Sequence, residues 1–259
     1  MSSKGKIEIP PTVLDRPKKF WDRGVGVDCD QVIVDFNGRV SEYVSARRAR
    51  FGGKPVDVTK SRTYYYFADP RVGLGENEEG EALKELYLAT QGGMGELKFY
   101  DTARQAIREI ASHCIQPYII TSVPNALEAS GASEQRYGWG TAQDLRIRQF
   151  FDAGLIRDSQ DVIFCSAAEK PRFMLKGVYH IPLLVDDRPS TLVSARWDYG
   201  LIAVGIRSKQ TLYNQGQFEG ITWFESLADA VPSILEVYEE LERRELLGRS
   251  AHMKGSDCQ

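Results

Sequence analysis

The sequence has no run of about 18 apolar residues, the length a bilayer-spanning helix requires. Its first stretch, Met1 to Pro17, is polar and proline-bearing, not a charged start leading into an apolar signal core. The expectation is a cytoplasmic protein without a membrane partner. Histidine is scarce: His113, His180 and His252 are scattered, and no pair stands at i, i+4, which disfavours a histidine-built metal site. The four cysteines, Cys29, Cys114, Cys165 and Cys258, include no close pair of the zinc-knuckle or redox kind, and reduced thiols are expected rather than bridges. Positive charge is not in excess either. A formal net charge of -3 supplies no chain-wide basic field, so no nucleic-acid polymer is expected as partner. Internal repeats and long low-complexity segments are absent.

What remains is enough to build a substantial core: 259 residues, of which 42% are hydrophobic and 27% charged. Short continuous apolar runs mark strands buried on both faces at Gly24 to Asp28, Pro117 to Thr121, Asp161 to Cys165, Ile181 to Asp186 and Gly200 to Ile206, with a sixth candidate at Ile221 to Phe224. Helical patterns fill the gaps. Thr102 to His113 repeats apolar residues at spacings of three and four, with Asp101 or Thr102 available as cap. Thr141 to Asp152 opens on a capping-box spacing, Thr141 and Asp144, and ends before Gly154. Pro189 to Trp197 starts with proline in its first turn, and Leu227 to Leu247 is long and amphipathic, with Pro232 ending a first turn or kinking it. Strand and helix in alternation imply right-handed crossovers and a mainly parallel α/β sheet.

One region breaks the alternation. Between Phe36 and Phe99 no buried strand is evident. Helices are expected near Gly38 to Phe51 and Glu78 to Thr90, around an aromatic patch SRTYYYF, and glycines bracket the region at Gly52, Gly53, Gly92, Gly93 and Gly95. The predicted organisation is a core of residues 22–36 and 99–247, a helical insertion at 37–98, a polar lead-in at 1–21 and a polar tail at 248–259.

Ligands of open α/β sheets gather at the carboxyl ends of the strands. The first strand, VGVDCDQVIVDF, ends in Asp28 and Asp30; the second, PYIITS, in Thr121 and Ser122. The third, DVIFCSAAEK, is followed by Lys170, and the fourth, IPLLVDDR, ends in Asp186 and Asp187. Carboxylates converging without histidine or cysteine suit a hard, oxygen-liking cation, Mg²⁺ above all. A lysine and a hydroxyl beside them suit the oxygens of an anion. A carboxylate can attack phosphorus, and a second one two residues on can protonate the leaving group and later activate water. Each residue also has a plainer reading: Thr121 as a turn cap with Ser122 or Asn125 contacting phosphate, Lys170 as a solvated helix-start lysine, and Tyr64 to Phe67 as glue within the insertion. Gly24 and Gly26 echo a dinucleotide fingerprint, but they precede the strand end and do not open a helix.

The ordered set DCDQVIVDF, ITS, EK and VDD resembles the haloacid dehalogenase (HAD)-like superfamily and covers the sheet region. The resemblance implies a Rossmann-like sheet with a small helical cap inserted after the first strand. It also implies a catalytic set in which Asp28 is nucleophile and metal ligand, and Asp30 is general acid/base and metal ligand through its backbone carbonyl. Thr121 would hold phosphoryl oxygens, Lys170 would neutralise charge, and Asp186 and Asp187 would complete the metal contacts. A second Asp at position 30 is the phosphatase pattern of that superfamily, against the dehalogenase pattern. DFNGRVSEYV, TSVPN and VDDRPSTL are similar to the 5'(3')-deoxyribonucleotidase branch, in which aromatic cap residues hold the base; Tyr65 and Phe67 are the candidates here. Gln31 departs from the family's usual glycine, and Lys176 rivals Lys170 for the third motif. The expected activity is Mg²⁺-dependent hydrolysis of a small phosphomonoester, a nucleoside monophosphate first, through an aspartyl-phosphate. A sugar phosphatase, a phosphomutase or a non-catalytic ligand-binding module are the alternatives, and a homodimer is left open.

Overall fold

The computed structural model describes residues 5–63, 69–75, 98–121, 139–175, 179–207, 213–216 and 218–248, the side chains of 139–142 excepted. Ser122, Tyr65, Phe67, Lys176, the helix expected at Glu78 to Thr90 and the 248–259 tail beyond Gly248 lie outside the described residues. In chain order the elements are α1 (Pro11–Leu14), β1 (Gly24–Asp28), α2 (Phe36–Ala49), α3 (Asp101–Ser112), β2 (Gln116–Thr121), α4 (Trp139–Asp152) and β3 (Val162–Phe164). There follow α5 (Lys170–Met174), β4 (Leu183–Asp186), α6 (Pro189–Trp197), β5 (Ile202–Ile206), β6 (Ile221–Phe224) and α7 (Leu227–Arg243).

The strands form one six-stranded sheet in the order β3-β2-β1-β4-β5-β6, and every pairing is parallel. This is an α/β Rossmann-like sheet flanked by helices. Every residue of β1, β2, β4 and β5 is buried, which is why these strands read as continuous apolar runs in place of an alternation. The glycines of β1 have a packing reason. A Cβ at Gly26 would lie 2.6 Å from Ile120 Cδ1 and one at Gly24 2.7 Å from the Tyr118 ring, so side chains of β2 close over the strand at both glycines.

Several ends differ from the sequence reading, each for a local reason. Ile181 N–H bonds to Met174 O and Leu201 N–H to Ala195 O, so β4 and β5 each begin two residues later than their apolar runs. Asp161 belongs to a short 3₁₀ turn at Ser159–Asp161, not to β3. Helix α4 starts at Trp139, ahead of the capping-box pair, and α3 starts at Asp101 with no side-chain cap. Helix α7 runs through Pro232 from a Ser226 cap and stops at Arg243, where Glu245 takes φ +58° and Leu246 N–H turns back to Leu241 O. That is a left-handed C-cap built without glycine, invisible to composition.

Two expectations need correction. Cys114 is disulfide-bonded, whereas Cys29 and Cys165 are free, so the all-reduced reading fails; spacing along the chain says nothing about the Cα approach that permits a bridge. The 5–21 segment is also no loose lead-in: Ile7, Val13 and Trp21 are buried in the main core.

The insertion starts and ends at one place. Asp35 N–H bonds to Lys98 O, Tyr100 N–H to Ile33 O, and Val34 bridges Phe99. Within it, Val40, Val44, Val56, Val58, Val72 and Leu74 form a small apolar cluster apart from the main core. Ser41 and Ser45 of α2 pin the following loop, Ser41 Oγ accepting from Val58 N–H at 2.9 Å and Ser45 Oγ from Val56 N–H at 2.9 Å.

Candidate active site

The strand order places the site. The chain works outward from β1 to β3, then returns to the middle, so β1 and β4 are neighbours whose connections leave in opposite directions; a crevice opens at their carboxyl ends. Val27 is in register with Val185, which sets Asp28 at the end of β1 beside Asp186 at the end of β4. On the other side Asp28 pairs with Ile120, so Thr121 closes β2 next to it and is buried. Lys170, the first residue of α5, comes from the turn after β3.

These side chains meet. Lys170 Nζ lies 2.6 Å from Asp28 Oδ1 and 2.8 Å from Asp186 Oδ2, and all three residues are buried. Asp28 Oδ1 also accepts from the Cys29 N–H at 2.7 Å, so that oxygen is fixed twice. Asp186 Oδ1 accepts from Arg188 N–H at 2.8 Å; both of its oxygens are thereby engaged. Asp187 accepts from the Tyr213 hydroxyl.

Charge is unbalanced. Burial, then Asp186 and Asp28, push the Asp187 carboxyl well above the usual carboxylate range. Burial likewise lifts Asp28, which Lys170 only partly offsets, to about 8. Burial works against the Lys170 ammonium, yet Asp186 and Asp28 outweigh it and hold its pKa well above the ordinary lysine value. One oxygen each of Asp28, Asp186 and Asp187 lies within 4.8 Å of the others. Three hard oxygen donors with one lysine among them fit a divalent cation of the Mg²⁺ kind, whose charge would complete the neutralisation.

The Asp30 carboxylate does not join that trio; the expected metal contact for this residue was its backbone carbonyl. Its Oδ1 is buried without a hydrogen-bond partner, and burial raises its pKa against the pull of Arg146 and Lys170. The turn carrying it is held by Gln31 N–H to Val34 O at 2.8 Å and Val34 N–H to Cys29 O at 3.0 Å. Gln31 takes φ +61°, the conformation that makes glycine usual there. Its side chain has a use that glycine lacks. With the amide oriented to satisfy its partners, the carbonyl accepts from Phe36 N–H at 2.9 Å and Asn37 N–H at 2.6 Å at the start of α2. Asp35 caps the same helix, its Oδ1 accepting from Gly38 N–H at 2.9 Å.

Sequence reasoning missed three residues. Arg146 of α4 is buried, and its charge acts on Asp30 and Cys29. Tyr213 and Asn214 lie on the irregular segment after β5 and reach back to Asp187, a return that no pattern along the chain signals.

No protein-family model and no curated protein matches the chain. Solved structures do. A HAD hydrolase, family IA, variant 3, from Entamoeba histolytica aligns over 83% of this chain and 99% of its own, with 15% identity and a TM-score of 0.52. A haloacid dehalogenase-like hydrolase from Burkholderia xenovorans (15% identity, 83% and 98% covered, TM-score 0.48) and the L-2-haloacid dehalogenase of Xanthobacter autotrophicus (16%, 83% and 98%, 0.45) are fainter likenesses that carry no weight. With its all-parallel sheet and its strand-end site, the chain has the fold of the HAD-like hydrolases.

Proposed function

We propose that the protein is a cation-dependent phosphatase that hydrolyses a small phosphomonoester through an aspartyl-phosphate on Asp28. The observation that carries this reading is the buried Lys170 held between Asp28 and Asp186, with Asp187 beside them. Asp28 Oδ1 is pinned by Lys170 and the Cys29 N–H, which leaves Oδ2 to attack phosphorus. As the new O–P bond forms, the bond from phosphorus to the ester oxygen breaks, and Asp30 gives that oxygen a proton. Burial raises the pKa of Asp30, the direction that suits a proton donor. Water then attacks the phosphoryl group, Asp30 takes its proton, phosphate leaves and Asp28 is restored. Lys170 and Thr121 face the phosphoryl oxygens. Asp28, Asp186 and Asp187 would hold a Mg²⁺ ion with the Asp30 carbonyl, Lys170 bridging Asp28 and Asp186 beside it. Bound there, the ion supplies positive charge that offsets repulsion between the anionic nucleophile and an anionic phosphate.

The substrate class within this reading is a nucleoside monophosphate, held by a cap formed from 37–98 over the 22–36 and 99–247 core, in a cytoplasmic protein. The bonded Cys114 is the feature that pulls against a reducing compartment. Phosphate release from deoxynucleotides, ribonucleotides and sugar phosphates, with Mg²⁺ and with chelator, tests the proposal beside Asp28→Asn. Release that requires the metal, falls by at least about a thousandfold in the variant and favours nucleotides is the expected result. Substantial turnover by the Asp28→Asn protein would overturn the nucleophile, and a preference for sugar phosphates would replace the substrate class.

A further inference from the structure

Asp186 and Asp187 are neighbours with unequal support. Asp186 ends β4 and receives Lys170 and the Arg188 N–H on its two oxygens. Asp187 lies past the strand, where the sheet no longer dictates direction, yet it is almost fully buried. What fixes it comes from the chain after β5. Tyr213 donates its hydroxyl to Asp187 Oδ2. Asn214 next to it is wholly buried and spends both amide hydrogens on backbone, bonding Asp187 O and Ile206 O at 2.9 Å each, so the ends of β4 and β5 are tied through one side chain. Arg207 in turn donates from Nε to Asn214 O at 3.0 Å while its guanidinium lies 4.8 Å from the centroid of Trp223 in β6.

We propose that Tyr213 is a positioning residue for the cation site, aiming the Asp187 carboxylate toward Asp28, with Asn214 fixing the backbone from which both project. The inference rests on the cation-dependent reading above. A hydroxyl on Oδ2 removes one rotational choice from the acid and leaves Oδ1 for a cation. An ion bound by few protein oxygens depends on their being aimed before it arrives. Loop packing alone would not require a polar tip on the acid; an apolar ring in the same place would fill the space equally well.

The test is calorimetric titration of the full chain with Mg²⁺, and with Mn²⁺ as a second probe, comparing wild type with Tyr213→Phe, alongside melting of both in chelator. The Phe variant should bind either ion roughly tenfold or more weakly, the range seen when a partner of a metal ligand is removed, while its melting temperature in chelator stays within about 4 °C of wild type. An unchanged dissociation constant, with or without a lower melting temperature, would reduce Tyr213 to a structural residue and overturn the proposal, leaving the cation reading intact. If wild type itself binds neither ion, the cation reading fails, and this inference with it.

Discussion

Lys170 shows how one side chain holds this site together. Fully buried lysines are rare because an ammonium loses its water, and this one persists because two carboxylates sit within 2.8 Å of it. Removing the ammonium while keeping its stem, as in Lys170→Met, leaves Asp28 and Asp186 facing each other without a cation. At pH 8 in chelator the variant should lose about 3–5 kcal/mol of unfolding free energy in urea. The loss should shrink at pH 5, where the Asp28 carboxyl accepts a proton and sheds the repulsion. An equal loss at both pH values would mean that packing, not charge, is what Lys170 contributes. Gln31 makes a related point. Its left-handed backbone costs about 1 kcal/mol relative to glycine, and its side chain returns a comparable amount by capping α2. A family pattern expects glycine at this residue, and the structure gives the local reason that glutamine is tolerated.

At the scale of elements, the N-terminal segment carries the sharpest lesson. Its polarity suggested a lead-in, yet it straps the sheet to the C-terminal helix: Trp21 N–H bonds Leu246 O at 3.0 Å, Lys19 N–H bonds Glu245 O at 2.8 Å and Gly248 N–H bonds Trp21 O. Trp21 itself is buried, donates its indole N–H to Val13 O at 3.1 Å and packs edge-on against Phe20. Trp21→Ala should therefore cost about 3–5 kcal/mol by denaturant melting; a loss under about 1 kcal/mol would return the segment to the periphery. The strap was illegible because its apolar residues, Ile7, Val13 and Trp21, are spaced by neither two nor 3.6. The sheet was legible for the opposite reason. Strands buried on both faces cannot hide, and the differences at their ends come from single backbone bonds, such as Ile181 N–H to Met174 O, that redirect a residue the pattern counts as strand. The strand-end acids and Lys170 were readable because their place in a parallel sheet follows from strand order. Tyr213 and Asn214 were not weighed, since they sit on an irregular segment whose return to β4 only the tertiary structure shows.

For the whole molecule, the buried acids of the crevice between β1 and β4 make folding depend on pH. Asp28, Asp30 and Asp187 all have pKa values raised above those of exposed carboxyls, that of Asp28 to about 8. An acid whose folded pKa exceeds its unfolded pKa binds more protons in the folded state than in the unfolded one across the interval between them, so stability falls as pH rises through it. The chelated protein should accordingly melt at progressively lower temperature from about pH 5 to above pH 8, as these carboxyls ionise in a site with too little positive charge. On the proposed cation-dependent reading, a divalent cation binds the ionised form and opposes the trend. Melting scans at pH 6 and pH 8 with Mg²⁺ and with chelator should thus give a larger Mg²⁺-induced rise at pH 8. A rise that is equal at both pH values, or larger at pH 6, would place the ion away from these carboxylates. Asp187→Asn separates the contributions, because it removes one buried negative charge: its chelated form should be less pH-sensitive than wild type, and its gain from Mg²⁺ smaller. Loss of the cation effect together with a flatter pH profile would tie both to the same cluster, which is the condition for the strand-end acids to act as one site.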